Sequence, residues 1–349
     1  MNKMSFEEFK AQALENIKDY LPEEYQDAKV TLETMHKLGT SYEALIVRPE
    51  GQIVTPAVDL NLFYKDYLSS GDMDMTMEGM GKVVLTKAPS NMKDVSSWLL
   101  DYDKAKDQLF IRVSNYDRNL AMSDEVPHKL VGDLMITCHI RVNVDEGGMA
   151  STVVNDMLME KYGIDEETLF SDAIENSPKI LPVKINSLLN TVSSMMNDPD
   201  LNADMIADGS VPEVMVVTNE MNINGASAMF YPGVMDELSA MMGGDFVAIP
   251  SSIHEMLVMP DQGDYKTLEH MICDVNENTV DINDQLSDHA YHYDSKDKIF
   301  ERADAFEARK AEKAASKSSV RKTLADKKAI VDQKKKSAPV TAKKAEQVI

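Results

Sequence analysis

The sequence predicts an α+β protein of mixed, mostly antiparallel sheets with packed helices, possessing two similar lobes and a basic tail. Three observations carry this. Apolar residues alternate in short runs that follow one another in pairs, as in hairpins. Other segments carry caps and apolar residues at helical spacing. The charge is divided: the chain has a net −23, yet Ala308 to Ile349 hold 13 Lys and Arg against 4 Asp and Glu, a net of +9, so the preceding 307 residues carry −32.

The first helix opens at "SFEE", where Ser5 and Glu8 have capping-box spacing and Phe6, Phe9, Ala13 and Ile17 form the apolar stripe. Pro22 stops it. "AKVTLETM" and "YEALIVRP" alternate as an antiparallel strand pair. "AVDLNLFYKDYLSSG" starts extended, turns helical and ends at Gly71. Ser96 to Tyr102 reads as helix, "QLFIRV" as strand, and Asp117 to Met122 as a short helix ended near Pro127.

The next part reads as a duplication. "DLMITCHI" is a strand, Gly147-Gly148 a turn, "NDMLMEKY" a helix and Gly163 its stop. Further on, "EVMVVTN" is a strand, Asn224-Gly225 a hairpin signal, "PGVMDELSAMM" a helix with Pro232 in its first turn, and Gly243-Gly244 its stop. Asp165 to Asn176 is a helix with an acidic start, which suits its dipole. Leu201 to Gly209 is a polar connection and the expected lobe boundary. "DFVAIP" and "HEMLVMP" follow as strands, joined by a turn at Pro250-Ser251-Ser252. On that reading His254 shares a strand face with Met256 and Val258 and is partly buried, while Glu255 points the other way. "DYKTLEHMICDV" is a helix and "SDHAYHYD" a last extended piece. The acidic body thus spans residues 1–294, and residues 295–349 form a basic helical or disordered tail. In that tail Val320, Leu324 and Val331 make a stripe too thin for a core helix.

Apolar content of 43 % and charged content of 27 % are ordinary for a globular protein, and 349 residues suffice for about two domains. Only Cys138 and Cys273 occur, too few for a disulfide framework or a four-thiolate zinc site. The first 20 residues hold Glu7, Glu8, Glu15 and Asp19 and no apolar run, so no signal peptide is expected. No stretch reaches the ~18 apolar residues of a membrane span. These features place the protein in the cytoplasm and off membranes.

At "ILPVK", "FYPGVMDEL", "IPSSIHEMLVMPD" and "LSDHAYHYD" the chain resembles a bacterial family known as domain of unknown function 5688. "VSNYDRN" and "VPHKL", with Asn115, Tyr116, Pro127 and His128, are similar to it too. The resemblance covers Ser5 to Asp294 and includes Tyr231, Pro232, Gly233, Pro250, Ser251, Ser252, His254, Glu255, Asp288 and His289. His292 departs from the family pattern. The resemblance implies members in Gram-positive gut bacteria, often within mobile or conjugative elements. It implies no activity, cofactor or catalytic residue.

Candidate chemistry gathers late in the chain. His270 and Cys273 are three apart on a predicted helix and could share a face, and His289 joins them as a metal candidate. His289 and His292 are three apart on a predicted strand, which opposes their side chains. There is no HExxH or CxxC module, so no metal site is expected. His254, Glu255 and Ser251 are the catalytic candidates, with no GxSxG elbow and no placed acid beside them. Cys138 and His139 are strand neighbours and diverge. No GxxxxGK[ST] or GxGxxG occurs, so no nucleotide cofactor is expected. A body at −32 repels nucleic acid, whereas the tail can engage it. The leading expectation is a non-catalytic accessory protein of a mobile element that binds another macromolecule, chiefly a protein, with an acidic mimic of nucleic acid as one version. The competing one is a metal-dependent hydrolase built near His254.

Overall fold

The computed structural model describes residues 3–37, 40–50, 55–85, 98–145, 148–189 and 214–316. Helix α1 (Phe6–Asn16) begins as its sequence requires: the Ser5 hydroxyl accepts from the Glu8 amide and the Glu8 carboxylate accepts from the Ser5 amide. Phe9, Ala13 and Ile17 are fully buried. Strands β1 (Lys29–Lys37), β2 (Thr40–Arg48) and β3 (Ala57–Asp59) form one antiparallel sheet in that order. The chain turns directly from β3 into α2 (Leu60–Ser70), with Asp59 as N-cap and Gly71 left-handed at φ 72° as C-cap. Helix α3 (Met73–Leu85) has no counterpart in the sequence reading, although its methionines, Glu78, Lys82 and Leu85 favour helix; Gly79 and Gly81 interrupt the pattern. Its start is set by Asp72, whose carboxylate accepts from the Met75 amide. Its two glycines allow close packing: a Cβ at Gly79 would come within 3.0 Å of the Phe63 ring, and one at Gly81 within 3.0 Å of the Tyr20 carbonyl. Phe9, Leu45, Leu60, Tyr67 and Met80 form the core of this N-terminal module.

A second, larger core lies under two further sheets. Strand β4 (Leu109–Asn115) pairs with one edge of β6 (Leu134–Asp145), while β5 (His128–Val131) and β7 (Gly148–Val153) follow one another along its other edge. Helix α4 (Asp156–Tyr162) is capped by Asn155 and stopped by left-handed Gly163. Helix α5 (Glu166–Ile180) runs past the expected end at Asn176 and through Pro178. Its end is pinned by Ser177, whose hydroxyl donates to the Ala173 carbonyl at 2.6 Å and accepts from the Ile111 amide of β4 at 2.9 Å. Near the sheet's start, the helix expected over Ser96 to Tyr102 lies partly outside the described residues. Residues 98–99 of it are helical, and a further turn follows at Tyr102–Ala105.

The remaining sheet has the order β13-β12-β10-β11-β9-β8, all antiparallel, made from β8 (Val183–Ser187), β9 (Met215–Asn219), β10 (Phe246–Ser252), β11 (Glu255–Pro260), β12 (Tyr291–Asp294) and β13 (Ile299–Arg302). Helices α6 (Val234–Met242) and α7 (Tyr265–Asn278) and a C-terminal helix α8 (residues 303–316) complete it. The expected lobe boundary at Leu201 to Gly209 lies outside the described residues. The strands that flank it, β8 and β9, pair with each other.

Four sequence expectations need correction. Asn224-Gly225 opens no hairpin: left-handed Asn224, φ 52°, starts a 3-10 helix over Gly225–Phe230. The duplicated pattern therefore has a hairpin between its strand and helix in the first copy and a 3-10 helix in the second. Pro232 is not in the first turn of α6. It holds the second position of a turn closed by Val234 N–H to Tyr231 C=O at 3.2 Å, with Gly233 third at φ 81°. Pro250-Ser251-Ser252 is not a turn but the end of β10. Pro250 fits there because β12 pairs β10 only as far as Ala248, so no ladder bond misses its N–H. Finally, the body does not stop at residue 294. β13 pairs with β12, Phe306 of α8 is buried, and Arg309 bonds Asp294, Asp297 and Glu301 at 3.0, 2.8 and 2.6 Å. The tail stripe at Val320, Leu324 and Val331 lies outside the described residues.

Candidate functional site

His254 sits in the two-residue turn between β10 and β11, not on a strand face. Its backbone amide donates to the Ser252 hydroxyl at 3.1 Å, and its carbonyl accepts from Thr218 at 2.8 Å. Nδ1 of the ring accepts from the Asn224 amide at 3.1 Å. Nε2 lies 3.5 Å from the Asp284 carboxylate. The Nδ1 lone pair is thus occupied by a backbone amide and is not free to serve as a general base. Glycine is required beside it, since a Cβ at Gly225 would lie 2.1 Å from the Thr218 hydroxyl and 2.5 Å from the His254 carbonyl.

The structure does not bring the catalytic candidates together. Ser251 contacts Glu255 at 3.5 Å along the hairpin, while His254 turns away toward Asn224 and Asp284. His270 is exposed on α7, and Cys273 faces the Asp288 carbonyl at 3.9 Å. Burial and then Asp288, Glu269 and Glu277 push the Cys273 thiol up, so it is a poor nucleophile and a poor ligand. His289 pairs with Glu269 at 3.2 Å. His292 is fully buried in a different place, stacked on Phe306 at 3.5 Å with Asp261 at 3.3 Å and Asp245 at 3.9 Å from Nε2. Among the described residues no group of three His, Cys, Asp or Glu is arranged to hold a metal ion.

The motif residues build a polar seam between the four-stranded and six-stranded sheets. Asn115 donates to the Leu286 carbonyl at 3.1 Å, and Arg118 donates to the Ile282 carbonyl at 2.8 Å and to Gln285. Asp133 accepts from the Tyr291 hydroxyl at 2.6 Å and from Ser287 at 3.0 Å. The segment 281–287 also reaches the His254 turn, because the Ile253 amide donates to the Asp284 carbonyl at 2.8 Å. "VSNYDRN" and "LSDHAYHYD" therefore meet each other and hold the hairpin of "IPSSIHEM" in place.

"FYPGVMDEL" does something different. Met229, Phe230, Tyr231 and Met235 wall an open cavity of ≈ 280 Å³, with Tyr293 behind and Asp236 and Lys298 at its edge. Lys298 bonds Asp236, and the Tyr293 hydroxyl donates to the same carboxylate at 2.8 Å. Lys298 holds a left-handed backbone, φ 57°, at this rim. Sequence reasoning missed this cavity, because it placed Pro232 within a helix and because Tyr293 and Lys298 come from about sixty residues later. A wider depression of ≈ 550 Å³ on the N-terminal module is lined by Gln12, Asn16, Asp19, Tyr20, Asp72 and Asp74 among others. Two of its polar groups already serve the fold: Asp72 caps α3, and Tyr20 donates to Asp74 at 2.6 Å. No described helix is long and apolar enough to cross a membrane.

A profile described as "Family of unknown function (DUF5688)" matches residues 6–295. No curated protein and no solved structure matches the chain.

Proposed function

The chain belongs to the DUF5688 family, and from that premise we propose that it is a non-catalytic accessory protein that binds a basic protein through the Met229–Met235 cavity. The cavity at ≈ 280 Å³ carries the reading. It lies at the low end of the ~300–1,000 Å³ of small-molecule sites and has room for an apolar side chain of a partner. Methionine and aromatic walls with a charged rim are the composition of an interface centre. The partner is basic because the first 307 residues carry −32. A mobile-element setting, as the family resemblance implies, suits an accessory of this kind. The alternative of a metal-dependent hydrolase at His254 is disfavoured by the Asn224 amide occupying Nδ1.

The test is co-purification from the native host of full-length protein and two variants, Met235→Glu in the cavity and Met157→Glu on the exposed face of α4. A basic partner should accompany the wild type and Met157→Glu, and be lost from Met235→Glu. Equal recovery with all three contradicts the assignment of the cavity.

A further inference from the structure

We propose that Arg112 is the receptor for a small anionic group, a carboxylate or a phosphate, bound on β4 together with Ser114. Arg112 has no carboxylate partner among the described residues, although the chain holds 59 Asp and Glu. Arg302 and Arg309 are paired with carboxylates, and Arg118 and Arg141 bond neutral oxygens; what sets Arg112 apart is a covered Nε without a partner. The one bond of Arg112 is from Nη2 to the neutral Asn224 side-chain oxygen at 2.6 Å. Its Nε is buried and has no partner. A half-buried guanidinium whose covered Nε has no partner and no counter-charge is costly to keep.

A second unpaired group stands beside it. The Ser114 hydroxyl is also buried and without a partner, and Ser114 is only 2 % exposed. Residues two apart on a strand share a face, so Arg112 and Ser114 point the same way. Thr137 is the direct cross-strand neighbour of Arg112 and adds a hydroxyl, which contacts His139 Nε2 at 3.1 Å. Burial, and then the Arg112 charge, hold the His139 pKa well down, so that ring stays neutral. Burial also lowers the Arg112 pKa to about 10, still charged at neutral pH. An anion with two oxygens can take the free Nε proton and one further guanidinium proton, while Ser114 donates to it from the side. Arg112 is half-buried, while its Nε and the Ser114 hydroxyl are covered, so the anion enters as the guanidinium swings away from Asn224.

The experiment is a thermal melt of the full chain at constant ionic strength, in chloride, with inorganic phosphate or acetate titrated in. The wild-type Tm should rise to saturation with at least one of the two. Phosphate alone points to a phosphorylated ligand, and acetate alone to a carboxylate. Arg112→Met should abolish the rise while its anion-free Tm equals or exceeds that of the wild type, because the uncompensated charge is gone. Arg112→Lys, which keeps the charge but loses the fork, should need at least about tenfold more anion, and Ser114→Ala about threefold more. The proposal is overturned if neither anion moves the wild-type Tm, or if Arg112→Met responds as the wild type does. It is also overturned if Arg112→Met melts far lower and the wild type does not respond, which would make Arg112 a clamp for Asn224.

Discussion

At the scale of residues, His254 shows how a histidine in a suggestive setting becomes structural. Its ring joins three separate segments: the hairpin turn, Asn224 before the 3-10 helix, and Asp284. His254→Ala leaves the Asn224 amide without its acceptor and should cost roughly 1–3 kcal/mol in chemical denaturation. No change would place the residue outside the fold's support. That the residue lies near a turn was legible from Ser251 and Ser252 just before it. Its position was not, because a proline and two serines mark a turn just as well as the end of an edge-free strand segment.

Two other histidines make a pH prediction. Burial lowers the His139 pKa far below its ordinary value. It also lowers that of His292, against the opposing pull of Asp261, Asp245 and Asp294. A histidine whose folded pKa lies below its unfolded value of ~6.5 favours the fold above that pH and loses its contribution as pH falls. Stability should therefore begin to drop below about pH 7 and go on dropping as pH falls toward the lowered folded values. The carboxylates held low by cationic partners, Asp294 and Asp297, lose theirs only in more acidic solution, below about pH 4. His139→Asn should flatten the profile of Tm against pH in the upper window. An unchanged slope would mean that His139 titrates normally and is open to solvent.

Elements were legible where caps and stops were. Ser5 with Glu8, Asp59 before α2, and the left-handed Gly71, Gly163 and Gly243 all sit where the sequence places a boundary. The elements missed were those whose reason lies in a distant contact. Helix α3 exists because its glycines meet Phe63 and Tyr20, and α5 continues through Pro178 because Ser177 is tied to β4. The C-terminal helix was misread for the same reason: its partners Asp294, Asp297 and Glu301 look like ordinary surface acids until the chain folds back. Phe306 is 7 % exposed and stacks on His292, so Phe306→Ala should cost about 3 kcal/mol. A cost below about 1 kcal/mol in urea denaturation would mean that α8 is not docked. A test of nucleic-acid binding by the basic tail must cut after residue 316, since a cut at 294 removes β13 and α8 with it.

For the molecule as a whole, the sequence suggested a division near residues 201–209, whereas the two large cores separate the N-terminal module from everything after residue 98. Hydropathy alone cannot show this, because both cores use the same kinds of residue and differ only in which segments meet. The motifs shared with the family divide by task. Asn115, Arg118, Ser287 and Tyr291 hold the two larger sheets together, while Tyr231, Pro232 and Gly233 shape an open cavity. An accessory protein needs both, a rigid frame and an accessible surface feature.

The most direct test of that reading places a photo-crosslinking amino acid at Met235 in the full-length chain, expressed in its native host, with Met157 as the control position. Irradiation should yield one discrete adduct from position 235, with a partner of basic charge, and none from position 157. No adduct at 235, or the same adducts from both positions, would contradict the account.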